Sequence, residues 1–340
     1  MIANFKTIEI SKFSDIIGQD NTKKQLLSAL IMQRNVIIIG PPGIGKTTLA
    51  KNVSKLLPEI TVNDCNYNCL PDLPLCPKCR SSKVNTKKIK GIQRFIRIQG
   101  SPDLTVEDLI GDIDPLKALK FGSLSIEAFT PGKIFKANNG VLFFDEINRC
   151  PEKLQNSLLQ VLEENKATIG SYDIELPANF IFIGTMNPED FAGTEKLSEV
   201  FLDRFDIIYI GYPETLAIEE EITLTKSKIL KEIEFPNSLL KKYLLFIRVL
   251  RQSKDLERAP SVRASIGVYE RAQSNALINK RKKVNEDDIK DALISVIAHR
   301  IRLKPSVKFV MKVEDFIEKE YKNFIETFNE RKLEKESDLP

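Results

Sequence analysis

The stretch from Gly40 to Thr48, GPPGIGKTT, constrains the fold of this chain more than any other. It satisfies G-x-x-x-x-G-K-[ST] with Gly40, Gly45, Lys46 and Thr47, a pattern that has physical meaning only where a strand runs into a helix. Both flanks comply. Upstream, NVIIIG (35–40) is a short β-branched run ending in glycine, and downstream KTTLAKNVSKLL repeats apolar residues at helical spacing. In such a turn the backbone N–H groups face inward around a polyphosphate, and the helix N-terminus adds the positive end of its dipole. Lys46 reaches the β and γ phosphates, and the Thr47 hydroxyl serves Mg²⁺. Gly40, Pro41, Pro42, Gly43, Ile44, Gly45, Lys46, Thr47 and Thr48 are therefore expected to bind ATP with its Mg²⁺.

Three further apolar runs follow: GVLFFDE (140–146), NFIFIGTMNP (179–188) and FDIIYIGYP (205–213). Between the first two, Leu154, Leu158, Leu159 and Leu162 share one helical face, and ATIGSYDIEL reads as a hairpin turning near Gly170 and Ser171. Strands apolar on both faces, alternating with helices, describe a parallel sheet covered on each side, an α/β fold. After Pro213 only helical patterns remain, among them NEDDIKDALISVIAHRI, where Asn285 reads as an N-cap with acids in the first turn. The final stretch, VEDFIEKEYKNFIETFNERKLEKESDLP, reads as one charged helix ending in a polar tail.

Asp145 and Glu146 end an apolar strand side by side, where their charges repel unless a cation and a water use them. Beside the phosphate turn, Asp145 would orient the Mg²⁺ and its waters, while Glu146 would polarise the attacking water as general base. Asn187, after the third run, would bring its amide near the γ phosphate as a polar sensor. A turn-forming role is the alternative for an asparagine before proline.

Hydrophobic residues make up 42% of the 340 residues and charged residues 29%, which fits a globular protein. No run approaches the roughly 18 apolar residues of a membrane span, and MIANFKTIEISKF lacks a signal-peptide core, so the protein is expected in the cytoplasm without membrane insertion. The net charge is +4, but residues 226–340 carry 26 basic and 18 acidic side chains, against 25 and 29 before them. Within the acidic part, residues 73–102 hold eight Lys or Arg and no acid, a stretch that either attracts an anionic partner or forms a solvated loop and hairpin.

These pieces, in this order, resemble the AAA+ ATPases, and more narrowly the group containing MoxR proteins and the ATPase (I) subunit of magnesium chelatase. FSDIIGQD (13–20) looks like the segment that contacts the nucleotide base, which brings in Ile17 and Gly18. RIQGSPDLTVEDLIG, DEINRCPEKLQNSLLQVLEENKATI and LPANFIFIGTMNPEDFAGTEKLSEVFLDRFD look like MoxR, and APSVRASIGVYERA is similar to the lid of the same group. The resemblance covers roughly residues 13 to 303. It implies a P-loop NTPase (AAA+) core with a parallel sheet followed by a small all-α lid, divided as 1–213, 214–303 and a charged helix and tail at 304–340. It also implies a helix-2 insert at about 108–138 and a pre-sensor-1 hairpin at about 166–177. Arg204 of the LDRF stretch would be the arginine finger that enters the neighbouring subunit's site, a surface pair with Asp203 or Asp206 being the structural alternative. Arg263 would be the lid arginine that grips phosphates, and Arg149 an inter-subunit contact.

The remaining feature is Cys65-x₃-Cys69-x₆-Cys76-x₂-Cys79, in an insert at 63–80. Four thiolates at this spacing could close tetrahedrally around a structural Zn²⁺; an iron–sulfur cluster or free thiols are the alternatives, and Cys150 reads as a core residue. Three functions are carried forward. The first is a Mg²⁺-dependent ATPase ring, a hexamer, that remodels or activates a partner with a von Willebrand factor A (VWA) domain. The second is the I subunit of a magnesium or cobalt chelatase. The third is a nucleic-acid motor or loader, which the chain has no separate DNA-binding segment to favour.

Overall fold

The order of strands across the central sheet decides which residues meet at its edge. The computed structural model describes residues 5–122, 125–168, 175–188 and 197–337. The described chain up to Gly40, with Gly45–Ile210, forms one compact unit; Pro41–Ile44 and the described chain from Gly211 onward form a second.

The first unit begins with α1 (Asp20–Ile31), β1 (Val36–Ile39), α2 (Lys46–Leu56) and β2 (Ile60–Asn63), then passes through α3 (Pro77–Ser81) to β3 (Thr86–Ile89) and β4 (Phe95–Gln99). Short pieces follow: α4 (Val106–Ile110), β5 (Gly111–Ile113), α5 (Pro115–Phe121), β6 (Phe129–Pro131) and α6 (Lys133–Lys136). Next come β7 (Val141–Asp145), α7 (Glu152–Glu164), the antiparallel pair β8 (Lys166–Thr168) and β9 (Glu175–Pro177), and β10 (Ile181–Met186). The turn expected near Gly170 and Ser171 lies outside the described residues. α8 (Glu199–Leu202) and β11 (Asp206–Tyr209) complete the unit.

The sheet has the order β11-β1-β10-β7-β4, and every pairing in it is parallel. β1 lies inside the sheet between β11 and β10, and its Val36, Ile37 and Ile38 are fully buried, which is why its sequence is an unbroken β-branched run. β4 is an edge strand. Its Ile98 is buried while Arg97 and Gln99 are exposed, so it carries no continuous apolar signal, and the sequence reading found four strands where five exist. On one side Phe144 and Phe182 pack with Leu154 and Leu158 of α7; each such side chain contributes about 1.5–3 kcal/mol through burial. The Phe205 ring lies tilted against two others, its centre 5.3 Å from that of Phe182 and 4.8 Å from that of Phe201, which anchors the turn between α8 and β11.

The second unit is helical: α9 (Leu216–Lys226), α10 (Asn237–Arg251), α11 (Val262–Ile278), α12 (Glu286–Ile297), the short α13 (Pro305–Lys308) and α14 (Val313–Ser337). Its core joins Leu244 and Ile247 of α10 to Val268 and Ala272 of α11 and Leu293 of α12. The Asn285 side chain accepts from Asp288 N–H at 3.0 Å while Asp288 accepts from Asn285 N–H at 3.0 Å, a capping box that starts α12. The helix stops at Ile297, and His299 sits in a 3₁₀ turn rather than in the helix expected there. Among the described residues no helix is long and apolar enough to cross a membrane.

Candidate active site

Parallel register brings the carboxyl ends of β1, β10, β7 and β4 into line. Ile39 pairs with Met186, and Asp145 lies beside Gln99. Ligands of open α/β sheets bind off this edge. Gly45 adopts φ 101°, a left-handed conformation that glycine reaches without steric cost, and the eleven-residue α2 starts at Lys46. The Lys46 ammonium donates to Gly40 O across the loop. Ile16 packs below: a Cβ placed on Gly45 would lie 3.3 Å from Ile16 Cδ1, which sets the segment with Ile17 and Gly18 against the end of the loop. A helix N-terminus, a loop with a left-handed glycine and a lysine folded over it fit a polyphosphate, and the Thr47 hydroxyl and Asp145 carboxylate are oxygen donors of the kind Mg²⁺ takes.

Asp145 and Glu146 are both engaged. Thr185 Oγ1 donates to Asp145 Oδ1 at 2.7 Å and accepts from Glu146 N–H at 3.0 Å, so one hydroxyl on β10 sets both acids. Arg97 Nη2 donates to Asp145 Oδ2 at 2.6 Å. Glu146 Oε2 accepts from Gln99 Nε2 at 3.1 Å and from Arg149 Nη1 at 3.0 Å. Asn187 follows β10 directly and is 9% exposed. Sequence reasoning missed Thr185, Arg97 and Gln99, because two of them lie on the unrecognised edge strand and the third is one hydroxyl inside an apolar run. It placed Arg149 at an inter-subunit contact; within this chain Arg149 pairs with Glu146.

Arg204 stands on the Phe201–Phe205 turn, where Ser198 caps α8 by accepting from Phe201 N–H at 3.1 Å. It ion-pairs with Glu163 of α7 and donates to Val200 O at 2.6 Å. The structural alternative named Asp203 or Asp206 as its partner; Asp206 instead pairs with Arg34 at 3.0 Å. In the second unit, Arg263 is the second residue of α11. A Cβ on Gly43 would come within 2.9 Å of Ser261 Oγ and 3.0 Å of Arg263 Cδ, so the turn before α11 touches the loop residues Pro41–Ile44. Arg300 joins this positive region: burial first, then the like charge of Arg263, lowers its guanidinium pKa below the arginine norm.

The cysteine insert hangs from the β2–β3 hairpin. The Sγ atoms of Cys65, Cys69, Cys76 and Cys79 all lie within 4.8 Å of one another. A tetrahedron with bonds of about 2.3 Å has edges of about 3.8 Å, so the four fit Zn²⁺. Leu75 and Cys76 N–H groups donate to Cys69 Sγ at 3.3 and 3.4 Å, a backbone cradle of the kind that supports a thiolate. Burial first, and then the neighbouring Cys65, raises the Cys69 thiol to about 11 despite those bonds, and burial with the neighbouring cysteines pushes Cys76 higher still. The knuckle is docked by an unforeseen asparagine set: Asn138 Nδ2 donates to Tyr67 O at 3.2 Å, Asn139 Nδ2 to Asn68 O at 3.1 Å, and Asn68 Nδ2 to Lys136 O at 2.8 Å. Cys150, 1% exposed, is in the core.

Three family models match: the ATPase family associated with various cellular activities (AAA) over residues 67–207, magnesium chelatase subunit ChlI over 12–68, and the AAA lid domain over 250–320. A magnesium-chelatase subunit ChlI homolog of Methanocaldococcus jannaschii is 30% identical over 87% of each chain. The chloroplastic ChlI-2 subunit of Arabidopsis thaliana is 29% identical over 86% of this chain and 76% of its own, and the uncharacterised YeaC of Bacillus subtilis 28% over 84% and 89%. Among solved structures, a model of the complex between magnesium-chelatase subunits BchI and BchD matches at TM-score 0.49, with 22% identity over 87% of this chain and 98% of that one. The parallel sheet with its phosphate loop and the helical unit agree with the family models and the relative from Methanocaldococcus jannaschii: the chain belongs to the AAA+ ATPases of the magnesium-chelatase ChlI type, and it hydrolyses ATP.

Proposed function

We propose that this ATPase works as a ring, a hexamer, whose hydrolysis cycle acts on a partner protein carrying a VWA domain. The observation that carries the reading is the state of Glu146: its carboxylate is held by Gln99 and Arg149, so the general base is restrained until another event frees it. A base restrained in this way suits a motor whose turnover is coupled to a partner.

In that cycle Lys46 and the loop amides bind the β and γ phosphates, and Thr47 and Asp145 hold the Mg²⁺, which when bound neutralises charge on the phosphoryl oxygens. Glu146, once released, accepts a proton from the attacking water, and Asn187 orients that water. Arg263 grips the phosphates from the helical unit. Arg204 enters the next subunit's site and offsets the charge that develops on the γ phosphate, a role worth about 10³–10⁵ in turnover where it has been measured in other NTPases. The cysteine knuckle holds a structural Zn²⁺. Leu116 and Leu119 of α5, 79% and 87% exposed, offer apolar contacts on the helix-2 insert.

A second reading, the motor subunit of a chelatase that inserts Mg²⁺ or Co²⁺ into a tetrapyrrole, is favoured by the names of the relatives above. One experiment separates the readings. Glu146→Gln, loaded with ATP and used as bait, should retain a VWA-domain protein; retention of a large tetrapyrrole-binding subunit as well would select the chelatase reading, and retention of neither would defeat both. DNA-stimulated, salt-sensitive turnover would instead mark a nucleic-acid motor.

A further inference from the structure

The second unit contains a buried ionic cluster that phosphate binding does not use directly. Glu219 on α9 is fully buried. Its carboxylate accepts from the two Arg251 Nη atoms at 2.6 and 2.7 Å, from Arg248 Nη1 at 3.3 Å and from Ser265 Oγ at 2.5 Å. The two arginines also hold backbone. Arg248 donates to Pro213 O at 2.9 Å and Glu214 O at 3.0 Å; Arg251 Nε donates to Pro260 O at 2.9 Å, and its guanidinium carbon lies 4.7 Å from the centre of the Tyr212 ring.

One carboxylate therefore joins two pieces of chain that are distant in sequence. The first, Tyr212–Glu214, is the segment that leads into the helical unit. The second, Pro260–Ser265, is the turn and first residues of α11, and it carries Arg263. A cluster of two guanidinium groups on one dehydrated carboxylate is costly compared with apolar side chains of the same volume, so its value lies in geometry more than in stability. The bidentate Arg251 pair fixes direction as well as distance. A displacement of the Arg263 turn must then be carried to Pro213 and Glu214 or break the cluster.

We propose that Glu219, Arg251 and Ser265 are positioning residues that tie Arg263 to the Tyr212–Glu214 segment, so that contact of Arg263 with nucleotide phosphates and the conformation of that segment change together. This rests on the phosphate-gripping role given to Arg263. Ser265 supplies the mildest probe, since Ser265→Ala deletes only the hydroxyl's bonds to Glu219 and, at 3.4 Å, from Arg251 Nη2, and leaves both arginines on Glu219.

The test is a double-mutant cycle on ATP turnover in the full chain, with Arg263→Ala, Ser265→Ala and the double variant, kcat and KM being measured separately. Ser265→Ala alone should lower kcat by about 3- to 10-fold, and in the Arg263→Ala background its effect should shrink to less than about 2-fold, because coupled residues are not additive. Arg251→Lys, which keeps charge but cannot span both carboxylate oxygens and Pro260 O, should behave the same way and replaces Ser265→Ala if that variant does not fold. The same factor in both backgrounds, or no effect in either, overturns the proposal while leaving Arg263 as assigned. If Arg263→Ala alone changes neither kcat nor KM, the assignment of Arg263 itself fails and the proposal falls with it.

Discussion

Arg97 Nη2 stands 2.6 Å from Asp145 Oδ2, across the register of the edge strand and its neighbour. The carboxylate assigned to Mg²⁺ is thus paired with a guanidinium that competes with the ion. The Arg97 side chain is about half exposed, so the pair is worth at most about 1 kcal/mol. Arg97→Gln should lower the Mg²⁺ concentration for half-maximal turnover by about 2- to 5-fold, read from a metal titration of ATPase activity; a higher Mg²⁺ requirement would mean that Arg97 assists the ion instead.

Gln99 and Arg149 share Glu146 Oε2. Removing the neutral donor should loosen the proposed base, which Arg149 still holds, without altering its charge. Gln99→Ala is expected to raise basal turnover by about 2- to 10-fold, whereas Glu146→Gln should lose about 10²-fold or more. Steady-state rates without a partner compare the two. A fall in basal rate for Gln99→Ala would show that the amide orients the base productively.

How far these residues could be foreseen depends on the signal each leaves. Asp145 and Glu146 were legible in the sequence because they close a strand that is apolar on both faces, and Lys46 and Thr47 because they open the helix after another such strand and its glycine-bearing turn. β4 was not, since an edge strand with Arg97 and Gln99 facing solvent has a period of two and no hydrophobic run. Thr185 could not be singled out, because only the register of β10 against β7 brings its hydroxyl to Asp145. The four cysteines announced themselves by spacing, but the asparagines that dock them lie some seventy positions away in FKANNG, where nothing local marks them. The structural alternative for Arg204 named its sequence neighbours Asp203 and Asp206 for a similar reason, since Glu163, its partner within the chain, is remote in sequence.

The cysteine knuckle should carry one Zn²⁺ per chain. After a strong chelator, the partly exposed Cys65 and Cys79 should react with a disulfide reagent at pH 8 in otherwise native protein. Cys69, Cys76 and Cys150 should react only on unfolding, because each is buried and burial lifts its thiol and leaves little thiolate. Metal analysis and thiol counting check both statements; five reactive thiols in the native protein as purified would exclude the site.

Asn138 is 1% exposed, and its side chain serves Tyr67 O, Pro177 O and the Asn179 N–H. Asn138→Ala would leave the buried Tyr67 O without this donor and remove two part-buried bonds, and should destabilise the fold by about 1–3 kcal/mol. Denaturant titration measures the loss. Retention of zinc by the variant would show that the knuckle closes without its dock.

The proposed trans role of Arg204 is tested most directly by mixing two inactive variants. Lys46→Ala chains lack a competent phosphate site but keep Arg204; Arg204→Ala chains keep the site but lack the donor. Each alone should turn over ATP at least about 10³-fold more slowly than wild type. Their mixture should recover a measurable fraction of wild-type activity, from junctions where an intact site meets an intact arginine. No recovery in rings shown to contain both variants, or full activity from wild-type chains held strictly monomeric, would contradict it.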